Sequence, residues 1–503
     1  MRYFPVALIV LAALTLALTW AALGPQQPLT GEELGSLTGT NWYSVQILGK
    51  RSGYACIEAE MVDGPGAPQL RVTEDVKILL TVAGRSLEAG KSQVTLYDQR
   101  LRPVSIEMVK NELGREQRII ATLEGNALTI SKSGPEGDEG TRTLQVDDDF
   151  CSDVVIAWMA ARGELHEGEE LDFQSYDPEI DVLDRYHVAV EGREAVGDIE
   201  AQIVRTRSQQ LGVEAVSWID GSGTLLRQHV PGLMDLKLEM VPEQEALAEL
   251  SPFEVASDIQ VEGALPPRNQ IDTLRLRITR RAGPADELIP ATPRQQVTAE
   301  GNDALVAVSQ ERPPLNVVTL PVTDPELAEF LAPTYHAQSD DPRIVQKARE
   351  VVGDQTDAWA VAQKLLSWVY HNMRKVDSEP RPITAIECLQ EMTGDCTEHA
   401  VLMAALGRAV GLPTRMCTGL VYVGGAFGYH AWTEVYIGRW VEMDPSWGQM
   451  TVDAGHLLLH SSSLDEVSYA RASLATGRTL GSISIKLVSY RGTDGREVDL
   501  TEG

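Results

Sequence analysis

Alternation of apolar and polar residues between positions 40 and 130 constrains this chain most. Five runs carry it, "NWYSVQILG", "SGYACIEAEMV", "RVTEDVKILLTV", "KSQVTLYD" and "QRIIATLEG", with Gly, Asp or Asn between them. Successive side chains of a strand point to opposite faces, so such a run buries one face and wets the other. Turn residues between the runs imply hairpins, hence an antiparallel sheet. A second strand-rich stretch runs from about 172 to 285 and contains "WIDGSGTLL", whose Asp220-Gly221 and Gly223 mark a hairpin bend. The two stretches are expected to form one twisted sheet or two small domains. Between them "FCSDVVIAWMAARG" (150–163) reads as a short helix capped near Ser152 or Asp153.

The pattern changes after the Pro-containing connectors between about 284 and 335. "DPRIVQKAREVVG" opens with an Asp-Pro helix start, and "DQTDAWAVAQKLLSWVYHNMRKV" puts Trp359, Ala362, Leu366, Val369 and Tyr370 on one helical stripe. "PITAIECLQEM" predicts a shorter helix. Another starts near Cys396 and is stopped by Gly411 and Pro413. Strands follow in "TRMCTGLVYV", "GYHAWTEVYIG", "RWVEMDPSW" and "SISIKLVSY". The expected class is α+β, with a C-terminal domain over 301–503 preceded by an antiparallel β-rich region. That region divides into 25–165 and 166–300, the latter a second domain or a continuation of the first. A chain of 503 residues exceeds what one core organises.

Charge and cysteine content narrow the function classes. With 73 acidic against 43 basic residues the net charge is -30, a surface that repels nucleic acid. Five cysteines are too few for a disulfide scaffold. Cys56 and Cys151 are open to pairing in an oxidising compartment, and the odd count leaves a thiol free or paired between chains. Residues 1–24, "MRYFPVALIVLAALTLALTWAALG", carry Arg2 and then an apolar run. Its length suits a secretory signal peptide or a single-span membrane anchor. The remaining chain is therefore expected to be extracytoplasmic, periplasmic or at the cell surface.

Cys396 sits where a helix begins, in "TGDCTEHA", and not on the apolar face that follows. First-turn N–H groups lack partners and carry partial positive charge, so a thiolate there is expected to be stabilised. His430 lies near the start of a strand, and Asp444 ends the next one before Pro445. Singly these read as a packed cysteine, a strand histidine and a turn-starting aspartate. Together they are the parts of thiol acyl transfer: Cys396 attacks, His430 takes its proton, Asp444 orients the imidazole, and helix-start amides stabilise the oxyanion. Strand parity sets a condition. A three-residue loop, Ile437-Gly438-Arg439, pairs Tyr436 with Trp440 and puts His430 and Asp444 on one face as diagonal neighbours, about 7–8 Å apart. A two-residue loop would turn them to opposite faces.

"GDCTEHAVLMAALGRAVGLPTR", "GYHAWTEVYI" and "VEMDPSWGQ", in that order, resemble the transglutaminase-like superfamily over about residues 320–490. The resemblance implies a papain-like core with Cys396, His430 and Asp444 as the triad. It also implies a protein or peptide amide as substrate, with water or an amine resolving the acyl-enzyme. No cofactor is expected, and no EF-hand-type calcium loop is present. His399, one turn after Cys396, is expected to support the thiol, the substrate or local packing, and Trp432 and Trp447 to pack in the core or else to wall the cleft. The pair His456 and His460 in "HLLLH" lacks a third ligand, so no metal site is expected. The rival reading is a catalytically silent binding or scaffold protein at the cell envelope that keeps the fold.

Overall fold

The computed structural model describes residues 25–501 apart from 26, 83–84, 113–114, 135–136, 153, 255–257, 262–264, 282, 316 and 377–382. The expected signal peptide or anchor (1–24) and the alternative cap Asp153 lie outside the described residues. No helix among the described residues is long and apolar enough to cross a membrane. The chain forms two compact units that divide at 255/256.

In the first unit, eight strands from Gly39–Ile47 to Gly137–Gln145 each pair with the next. Six more, from Glu170–Asp177 to Leu236–Val241, do the same. The two meanders join because Trp42 of the first strand pairs antiparallel with Val241 of the last. The strand-rich stretches are thus one sheet path. Residues 271–300, grouped with them in the sequence reading, instead belong to the second unit, where Ile271–Arg280 pairs with Ile483–Gly492 and Gln295–Glu300 with Asp303–Ser309. The period-2 expectation holds where one face is dry: Val182–Val196 begins with strict alternation of buried and half-buried residues. The helix Val154–Ala161 lies between the meanders. No disulfide joins the five cysteines among the described residues: Cys56 stands opposite Trp42 and Asp75 in the ladder, and the Cys151 thiol donates to the Ser152 carbonyl.

In the second unit, α1 (Pro342–Val352), α2 (Ala358–Asn372), α3 (Ala385–Glu391) and α4 (Cys396–Ala409) precede the strands β1 (Thr414–Val423), β2 (Ala426–Tyr436), β3 (Trp440–Met443) and β4 (His456–Ser462). Side-chain caps start the helices: Asp341 for α1, Asp357 for α2, Thr384 for α3 and Asp395 for α4. The buried stripe of α2 is Ala358, Val361, Ala362, Leu365, Leu366 and Val369. Trp359 is only half-buried and Tyr370 is exposed, so the expected stripe is rotated by about one position. Helix α4 is buried on every side from Cys396 to Arg408, which explains its weak amphipathicity. Both β1 and β2 are likewise buried on both faces. Close approach is built in at Gly419 of β1, where a Cβ would lie 2.1 Å from the Leu457 carbonyl oxygen and 2.7 Å from the Trp432 ring.

The first unit also buries charge. Lys91 lies 3.7 Å from Glu74, and Asp177 is fully buried, accepting the Glu179 amide at 2.8 Å while its Oδ2 has no hydrogen-bond partner among the described residues. Burial pushes the Asp177 carboxyl up to about 7, against the pull of Lys91. The folded unit therefore holds this proton to higher pH than the unfolded chain does. The resulting stability is full below about pH 4 and is lost as pH rises through about 7. Asp177→Asn should accordingly match wild type near pH 3.5 in urea unfolding and exceed it by about 4 kcal/mol near pH 8. A difference independent of pH would contradict this.

Candidate active site

Helix α4 presents Cys396 at its first position. Asp395 caps the helix, accepting the Thr397 amide at 2.9 Å, and Glu398 accepts the Asp395 amide at 2.9 Å. Gly394 is required beside this box, because a Cβ there would lie 2.4 Å from that of Glu398. The Ala431 amide, from the residue after His430 in β2, acts to lower the Cys396 pKa. Helix α4 packs against β2, the histidine strand.

Across the loop from β2 to β3, Tyr436 pairs with Trp440 and Thr433 with Met443, the register of a three-residue connection. Ile437 donates to the Arg439 carbonyl within it. His430 and Asp444 consequently share a face, and His430 Nε2 meets Asp444 Oδ2 at 2.8 Å with both side chains wholly buried. The other carboxylate oxygen, Oδ1, accepts from the Ser446 amide (2.8 Å), the Ser446 hydroxyl (2.9 Å) and the Trp447 amide (3.1 Å). An oxygen so surrounded is ionised. Nε2 of His430 is then the donor, and the lone pair of the neutral ring is on Nδ1, a buried atom with no hydrogen-bond partner among the described residues.

Trp447 stacks on the His430 ring at 4.7 Å and Trp432 lies near-parallel at 6.1 Å. Trp432 Nε1 donates to Glu442 at 2.8 Å, and Arg294 clamps the same carboxylate at 2.9 and 2.7 Å. Arg268 and Lys375 lie over Trp447, at 4.2 and 5.5 Å from its ring centre. His399 is buried beside Cys396, its Nδ1 on the Asp395 carbonyl.

The electrostatics differ from the expectation for a helix-start thiol. Burial pushes the Cys396 thiol well up and the nearby Asp395 charge adds to this, while the Ala431 amide opposes it. Cys396 is only 6% exposed, so the lost solvation exceeds what the helix terminus returns. Burial likewise lowers the His430 pKa despite the Asp444 charge. At rest the thiol and the imidazole are both neutral. Burial opposes ionisation of Asp444 too, but His430 and then His456 outweigh it and hold this carboxyl below the usual range.

Sequence reasoning missed His456. It was read with His460 as an i, i+4 pair, but both stand on the strand β4, where that spacing is not a helical turn. His456 points to Asp453 and Asp444, at 3.2 and 3.5 Å. Among the described residues, His430, Asp444 and His456 form a group of donor atoms within 4.8 Å of one another. We assign them no metal: the 2.8 Å separation is a hydrogen bond, and Asp444 Oδ1 is taken up by three donors.

Residues 345–445, which include Cys396, His430 and Asp444, match the family profile of the transglutaminase-like superfamily. The second unit carries a transglutaminase-like domain. Among solved structures the chain is similar to a candidate cysteine protease from Cytophaga hutchinsonii, at 18% identity over 46% of this chain and 87% of that one, with a TM-score of 0.31. It is also similar to the periplasmic domain of TgpA from Pseudomonas aeruginosa, at 18% identity over 39% and 90% of the two chains, with a TM-score of 0.27. No curated protein matches the chain.

The Glu442–Arg294 pair supports the transglutaminase-like domain at its centre, since both side chains are at most 5% exposed. Removing one partner leaves a buried charge uncompensated. Glu442→Ala should cost the second unit about 3–5 kcal/mol in urea unfolding. A loss below about 1 kcal/mol would show that the pair is hydrated in solution.

Proposed function

We propose that the transglutaminase-like domain is a thiol acyltransferase that attacks a protein or peptide amide through Cys396, His430 and Asp444. The observation that carries the reading is the buried His430–Asp444 hydrogen bond. It fixes the imidazole with Nε2 protonated and Nδ1 free to accept a proton. Because the resting thiol is neutral, His430 takes the Cys396 proton as sulfur attacks the carbonyl carbon. The imidazolium so formed is stabilised by Asp444 and protonates the leaving amine. Water or an amine then resolves the thioester, giving hydrolysis or crosslinking. The amide of Cys396 at the start of α4 is the oxyanion donor, since those of Asp395 and Thr397 are taken up by the capping box. Residues 1–24 support an extracytoplasmic setting, by export or anchorage.

A silent scaffold is the second reading, and the burial of Cys396 and His430 favours it. Iodoacetamide labelling of the full chain, read cysteine by cysteine by mass spectrometry, separates the two. In an enzyme, Cys396 reacts near pH 7 and His430→Ala slows it by roughly 100-fold. Cys388 and Cys417, both wholly buried, serve as internal standards and do not respond. In a scaffold, Cys396 behaves as they do. Incubation with a glutamine-containing protein, with and without a primary amine, then distinguishes peptide release from amine incorporation. Cys396→Ala abolishes either activity. Because burial lowers the His430 pKa, the rate should stay level to below pH ~6.5 and fall only as His430 protonates.

A further inference from the structure

One buried titratable side chain plays no part in the mechanism above. His456 opens β4 and its side chain is wholly buried. Nδ1 is 3.2 Å from Asp453 Oδ1, and Nε2 is 3.5 Å from Asp444 Oδ2. The ring is edge-on to Trp432 and Trp447, at 5.3 and 5.5 Å, and 5.9 Å from His430.

The two carboxylates set its protonation. Nδ1 is within hydrogen-bond distance of Asp453 Oδ1, whereas Nε2 is at ion-pair distance from Asp444 Oδ2 but has no hydrogen-bond partner among the described residues. Asp444 already accepts three donors on Oδ1 and His430 on Oδ2. Asp453 accepts the Gly455 amide at 2.8 Å and the Gln449 amide group at 2.8 Å, with Arg268 3.6 Å away. Both are therefore ionised, and two buried negative charges against one ring favour the imidazolium. The direction of the titration agrees: burial opposes the charge on His456, yet Asp444 and Asp453 outweigh it and raise its pKa.

The other charged groups around the ring are few. Arg294 donates to the His456 carbonyl at 2.7 Å and neutralises Glu442. Lys375 and His399 reach the same cluster through Trp447 and through Asp444.

We propose that His456 is a protonated positioning residue, clamped between Asp453 and Asp444, that fixes the Asp444 carboxylate and shares its charge so that His430 stays neutral. The inference rests on the reading of His430 as the base. A second cation on the carboxylate adds to burial in disfavouring a charge on His430, and a neutral ring can accept the thiol proton. A carboxylate shared with a second, permanent cation still orients Nε2–H but binds the extra proton on His430 less tightly. Asp444 thus faces two histidines, one always charged and one charged only during the reaction.

The test is a nitrogen-detected NMR titration of the full chain carrying isotope-labelled histidine, with resonances assigned by single substitution. In wild type, His456 should keep both ring nitrogens protonated to higher pH than a free histidine, while His430 is protonated on Nε2 alone down to below about pH 6.5. In His456→Gln the His430 midpoint should rise by roughly one pH unit, because a cation about 6 Å away is gone. In Asp453→Asn the His456 midpoint should fall. An unprotonated ring nitrogen on wild-type His456 near pH 6, or an unchanged His430 midpoint in a folded His456→Gln, overturns the proposal. The wild-type measurement decides even if His456→Gln does not fold. Cys396 labelling on the same sample separates the two readings. An unreactive Cys396 with the expected titration sinks the enzyme and leaves the clamp; a reactive Cys396 with a neutral His456 does the reverse.

Discussion

An ionised carboxylate at zero exposure is among the costliest groups a protein interior can hold, and Asp444 is one. Its compensation organises the centre of the second unit. Ser446 and Trp447 fold back on Oδ1, His430 and His456 meet Oδ2, and Asp453 balances the second histidine. Each donor comes from a segment that the β2–β3 connection and the loop before β4 must place to within a few tenths of an ångström. The odd loop at 437–439 is the backbone expression of this demand, since shifting the register by one residue would turn Asp444 to the other face.

A second buried ion pair extends the arrangement along the same strands. Glu442 stands two residues before Asp444, and through Trp432 Nε1 it fixes one of the two indoles beside the His430 ring. Its partner Arg294 comes from the strands around residues 271–309, far from the helices in sequence, and also bonds the His456 carbonyl. Those strands therefore supply a buried counter-charge to the core of the transglutaminase-like domain. Gly419 belongs to the same construction, because only a residue without Cβ lets β4 and the Trp432 ring close on β1.

Much of this was legible locally. Asp341, Asp357, Thr384 and Asp395 cap helices through contacts two or three residues away, so the signals that mark them are complete in the sequence. The Cys396, His430 and Asp444 motifs and the strand parity were legible for the same reason. The α2 stripe was misplaced by about a position because Trp359 and Tyr370 are apolar yet largely turned from the core. His456 was overlooked because its partners, Asp453 and Asp444, act through a loop whose path no periodicity records.

The sequence by itself determined the alternating strands, the capped helices and the register that puts His430 and Asp444 on one face. These follow from backbone geometry and from hydrogen bonds between near neighbours. Tertiary structure alone decided the charges. The thiol at the head of α4 is held neutral and not ionised, because burial costs a thiolate more than one helix terminus returns. Asp444 stays ionised at equal depth because four donor groups from two segments converge on it with His456 at ion-pair distance, and convergence of that kind is a property of the folded chain.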